Sequence, residues 1–75
     1  MGVTDEIADE LAIEALNLER ETGDEKIVNK VSEILGASSQ TTQEAYLTSV
    51  RVRRAEQRAR DYLSGIDPKN HTPTS

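Results

Sequence analysis

A chain of 75 residues holds one domain at most, and a domain this small is marginal unless it packs well or assembles. It has no cysteine, which excludes a disulfide frame, a thiolate nucleophile and a cysteine-based zinc site. The formal charge of −5 works against non-specific nucleic-acid binding, because most of the surface repels phosphate.

The apolar inventory is thin, with no Phe, no Trp and two Tyr. At about 25 cal/mol per Å² of buried apolar area, such a core barely offsets the roughly 1.5 kcal/mol of entropy lost per ordered residue. Self-association, most simply as a homodimer, is therefore expected. A small secreted domain without staples is unusual, so a reducing, cytoplasmic setting is expected as well. No apolar run approaches the ~20 residues of a membrane span, and the acidic start is the opposite of a signal peptide. Met1 and Gly2 open like a myristoylation signal, but Glu6 stands where that signal takes Ser or Thr.

The spacing predicts an all-α fold of three helices over about 5–21, 24–35 and 41–64. These would pack as a small bundle or as a helical hairpin that completes its core by dimerising. Residues 1–66 form the domain, and 67–75, with two prolines and nothing apolar after Ile66, read as a disordered tail.

In the first helix, Thr4 or Asp5 is suited to cap the start. Ile7, Leu11, Ala15 and Leu18 recur at spacings of four, four and three, with Ala8 and Ala12 widening the stripe. Beside it stands a column of Glu6, Glu10 and Glu14 without an interleaved base. Thr22-Gly23-Asp24 then reads as a helix stop followed by a start. In the second helix, Ile27, Val28, Val31, Ile34 and Leu35 share one arc and read as core, with Gly36 ending the element.

The third helix is marked by Thr41 and Glu44 as a capping box, and it ends where Ser64, Gly65 and Asp67-Pro68 halt continuation. Its apolar residues fall on two nearly opposite faces. Tyr46, Leu47 and Val50 make one, and Val52, Ala55, Ala59, Tyr62 and Leu63 make the other. This helix needs two neighbours, and the alanines of the second face admit a close approach.

All five arginines after Arg20 lie on this helix. Arg51, Arg54 and Arg58 share an edge where like charges repel by a few tenths of a kcal/mol. Glu56 and Arg60 form a favourable pair, and Asp61 is placed to reach Arg58. Residues 1–35 carry ten acids and three bases, and residues 36–75 four acids and six bases, so the arginine edge finds its natural counterpart in Glu10 and Glu14. The candidate contact surface is Arg51, Arg54 and Arg58 with Ala59 and Tyr62.

Nothing reads as a reacting centre. The sole histidine, His71, lies in the tail, and the carboxylates are spread at helical periods over solvated faces. Asp5, Glu6, Asp9 and Glu10 attract calcium only weakly without a glycine-turn loop, so neither metal nor cofactor is expected. An arginine-rich RNA-binding reading of residues 51–60 is opposed by Glu56, Asp61 and the acidic first half.

One motif points elsewhere. Val31 to Leu47, through Ser32, Gly36 and Ser38, resembles the core of a helix-turn-helix DNA-binding motif. The resemblance covers under a quarter of the chain, and it departs where Thr42 and Ala45 replace the buried aliphatics of the reading helix. It implies base contacts from Ser39, Gln40, Gln43 and Glu44, with Arg51, Arg53 and Arg54 on phosphates. The first expectation is instead a small non-enzymatic protein-interaction module, a regulator or adaptor with a protein partner. A DNA-binding transcriptional regulator is the alternative.

Overall fold

A computed structural model describes residues 2–73 and shows three helices in chain order: α1 (Val3–Thr22), α2 (Lys26–Ser38) and α3 (Gln40–Ser64). No strand occurs among the described residues, and all three helices pack on one another. Among the described residues no helix is long and apolar enough to cross a membrane.

The helix ends show where local chemistry decided differently from the expected boundaries. α1 starts two residues early, on extended Gly2, whose carbonyl accepts from the Asp5 and Glu6 amides at 3.1 and 3.2 Å. Thr4 and Asp5 thus lie inside the first turn and cap nothing, while Asp5 and Glu6 still face the positive end of the dipole. Gly23 closes α1 as expected, at φ 75° with its amide donating to the Glu19 carbonyl at 2.8 Å. Asp24 then receives the Lys26 amide on Oδ1 at 2.9 Å.

The second boundary differs more. α2 does not stop at Gly36 but runs to Ser38, and a single extended residue, Ser39, joins it to α3. The Ser39 amide donates to the Leu35 carbonyl at 2.7 Å, and its Oγ accepts from the Thr42 amide at 3.2 Å. Ser39 therefore ends one helix and begins the next, and Thr41 is not the cap. Gly36 serves clearance instead. A Cβ there would run into the Gln43 carboxamide, whose carbon lies 2.7 Å from that position. That carboxamide donates to the Ser32 carbonyl at 3.0 Å and reaches the Ser32 hydroxyl at 3.4 Å.

Gly36→Ala in the native chain should accordingly gain little or lose stability. Alone, it would recover about 1 kcal/mol of helix propensity, but it displaces the amide that ties α3 to α2. In a Gln43→Ala background the same change should stabilise by about 1 kcal/mol. Denaturant melts of the four chains in that cycle read the difference.

The core is built around one aromatic side chain. Tyr46 is fully buried among Ala8, Ala12, Ala15, Val28 and Val50, with Leu11, Leu16, Ile27, Val31, Leu35, Ala45 and Leu47 around the edge. Its hydroxyl donates to the Val28 carbonyl at 2.9 Å, so the polar end is satisfied inside the core. Because the tyrosine ring fills the space between helices, α1 must face it with alanines. The buried face of α1 is therefore Ala8, Ala12 and Ala15, while Ile7 and Leu18, expected in the stripe, sit half-exposed on the rim. On α2 the arc is displaced in the same sense. Ser32 is buried against Gln43, and Ile34, expected in the core, is exposed.

α3 outruns what it packs against. Its 25 residues extend about 37 Å at 1.5 Å per residue, and every residue from Arg54 to Gly65 is exposed. The radius of gyration is 15.9 Å, against about 11 Å for a compact chain of this length. Gly65 ends α3 in a right-handed conformation, not the left-handed cap that ends α1. Residues 67–73 are exposed and form neither helix nor strand, with a local turn in which Asp67 accepts from Lys69 and Asn70. Thr74 and Ser75, the end of the expected tail, lie outside the described residues.

Candidate interaction surface

The arginines of α3 divide into two sets. Arg53 lies on the face of Tyr46 and Val50, one turn further on, and meets α1 there. Its Nε and Nη2 donate to the two carboxylate oxygens of Asp9 at 3.0 and 2.7 Å. Arg54 crosses to Glu19, its Nη2 lying 3.1 and 3.4 Å from the two oxygens. The expected counterparts, Glu10 and Glu14, make no ion pair within the described chain. The rotation of α1 toward Tyr46 brings Asp9 and Glu19 to α3 and turns the glutamate column outward. A signal for this was present: Tyr46, Val50 and Arg53 follow at spacings of four and three, so Arg53 continues the buried face.

Arg51 and Arg58 are the other set. Both are exposed, and neither makes an ion pair among the described residues. Arg60 pairs with Glu56 as its spacing predicts, at 2.8 Å. Asp61 does not reach Arg58; it accepts from the Gln57 amide at 2.9 Å.

The Asp9 pair sets a pH dependence. Hydrogen bonds from Arg53 hold the Asp9 carboxyl below its usual 3.8, against a smaller opposing effect of burial. A lowered folded-state value means that the stabilisation is complete above 3.8 and is lost as the pH falls through the folded value. Asp9→Asn should therefore be less stable than the native chain at neutral pH, with the gap closing in acid, as read by denaturant melts across pH. Nearby, burial pushes the Tyr46 phenol above its ordinary value, the Arg54 guanidinium draws it part of the way back, and the Glu19 carboxylate adds a smaller upward push.

The second apolar face of α3 is bare. Val52, Tyr62 and Leu63 are 61, 66 and 64% exposed, and Ala55 and Ala59 are exposed between them. Of the sequence-predicted contact residues, Arg51, Arg58, Ala59 and Tyr62 are open, whereas Arg54 is engaged with Glu19. The accessible surface totals 5931 Å², while a compact chain of 8.3 kDa exposes about 4,600 Å².

Beyond Arg53, α1 and α3 part and leave an open groove of about 480 Å³ between Ile13, Leu16 and Arg20 on one side and Glu56 and Gln57 on the other. Among the described residues no three His, Cys, Asp or Glu side chains gather as a metal site.

The residues implied by the helix-turn-helix resemblance are dispersed among structural tasks. Ser39 caps α3, Gln43 is tied to Ser32, and Arg53 and Arg54 are tied to carboxylates. Gln40, Glu44 and Arg51 are exposed. The turn that the resemblance requires at Gly36 is absent, because α2 continues through that residue. No protein-family model, curated protein or solved structure matches the chain.

Proposed function

We propose that the chain is a small non-enzymatic protein-interaction module, a regulator or adaptor, whose binding surface is the outer face of α3. One observation carries the reading: Val52, Tyr62 and Leu63 stand exposed on one side of a helix whose opposite side is packed as far as Val50 and Arg53. An apolar face this open, in a chain with so few large apolar side chains, is costly to leave in water. The bare face also adjoins the two unpaired arginines, Arg51 and Arg58, which supply charge at its rim.

A photoreactive residue tests this directly. Placed at Tyr62 in cells producing the chain, it should yield discrete covalent adducts. The same residue at Asn29, exposed on α2, should yield none. An absence of adducts at Tyr62 would overturn the reading, whatever the identity of the partner.

A further inference from the structure

Resting on that reading, we infer that the occupant of the bare α3 face is a second copy of this chain, aligned parallel to the first about a two-fold axis. Val52, Ala55, Ala59 and Tyr62 follow on α3 at spacings of three, four and three, the repeat by which two helices keep one seam facing each other over successive turns. The alanines in the middle of the seam allow the two backbones to come close.

One edge of this seam is basic, and the other carries a single acid, Glu56, which within the chain also holds Arg60 at 2.8 Å. At 100° per residue, Arg51 and Arg58 flank it on one side, and Glu56 and Leu63 flank it on the other. The second edge continues downward onto α1, where Glu6 and Glu10 line a cleft with Ala45, Thr48 and Ser49 of α3. These two glutamates, like Arg51 and Arg58, have no ion-pair partner within the described chain.

Alignment decides whether the edges attract. In a parallel pair each arginine edge lies along the acidic edge of the other copy, so Arg51 faces Glu56 five residues on, with Glu10 beneath it, and the Arg58 stem crosses Leu63. In an antiparallel pair the arginine edges of the two copies meet and repel. The match that the charge split predicts between acidic first half and basic second half is thus completed between copies.

A specific interface removes about 800 Å² from each partner, and the bare turns of α3 together with the exposed tail raise the chain's surface about 1,300 Å² above that of a compact one of its mass.

The absence of cysteine gives a clean test on the purified chain. Val52→Cys and Ala59→Cys are made as separate variants and oxidised. A parallel two-fold pair places each residue opposite itself, so both variants should give disulfide-linked dimers. An antiparallel pair has only one level at which a residue meets itself, and links one variant at most. Sedimentation equilibrium supplies the affinity. Arg51→Glu should raise the dimer dissociation constant about tenfold, and adding Glu56→Arg should bring it back to within about threefold of native. Arg20→Glu, on α1, should leave it unchanged.

A dimer in which only one cysteine variant links, or neither, overturns the parallel alignment. A chain that stays monomeric to about 200 µM, well above the dissociation constants of specific interfaces of this area, overturns the second copy as occupant. In either case adducts at Tyr62 decide separately whether the face binds another protein.

Discussion

Tyr46→Ala should remove about 3–5 kcal/mol of stability at 25 °C, a large share of what holds the chain folded. The side chain is fully buried and is the one large side chain to be so among the described residues, and removing a buried aromatic costs about 3–5 kcal/mol. At ~0.05–0.15 kcal/mol per residue the whole fold is worth only about 4–11 kcal/mol. The alanines that line the ring on α1 are too small to fill the space it leaves. Tyr46→Phe keeps the ring and loses only the bond to the Val28 carbonyl, at about 1 kcal/mol. Far-ultraviolet circular dichroism during denaturant titration separates the two. An alanine variant as stable as the native chain would mean that the tyrosine does not organise the core.

Ala12→Leu tests the opposite side of the same contact. Ala12 is fully buried against the core cluster, and three added carbons have nowhere to go without pushing α1 away from Tyr46. Overpacking of this kind costs about 1–3 kcal/mol. The push would also separate Arg53 from Asp9 and Arg54 from Glu19, which bracket that contact, so the upper end of the range is expected. Ala55→Leu, the same chemistry on the bare face of α3, meets open solvent and should shift stability at low protein concentration by under about 0.5 kcal/mol.

These two substitutions also mark what the sequence discloses and what it hides. Helix number, order and approximate extent follow from periodicity, and so do the stop at Gly23, the end at Ser64 and the two-faced character of α3. Gly36 misleads because glycine inside a helix costs only about 1 kcal/mol, and the clearance it gives Gln43 serves a hydrogen bond to Ser32, eleven residues away, that no local rule contains. The buried face of α1 is hidden for a related reason. Ile7 and Leu18 are the more apolar residues, but the ring of Tyr46 selects Ala8, Ala12 and Ala15 by size.

The candidate surface was partly legible. Arg51, Arg58, Ala59 and Tyr62 are exposed, and Glu56 meets Arg60 as the i, i+4 spacing predicts. The destinations of Arg53 and Arg54 depended on how α1 rotates about its own axis, which a charge count over each half of the chain does not specify. Glu10 and Asp9 are neighbours in sequence, and one residue of rotation decides which of them meets α3.

One copy of the chain cannot hold the outer half of α3 by itself, since residues 55–64 are all exposed and their side-chain hydrogen bonds and ion pairs, among the described residues, stay within α3. A helix segment of that length is marginal in water without tertiary support. Amide hydrogen exchange of residues 55–64, followed as a function of protein concentration, reads this directly. Weak protection in dilute solution that climbs toward the level of the Tyr46–Val50 turn as concentration rises is the expected result. Protection equal to that of the Tyr46–Val50 turn at the lowest concentration would show that a lone copy sustains the whole helix, and would contradict the account.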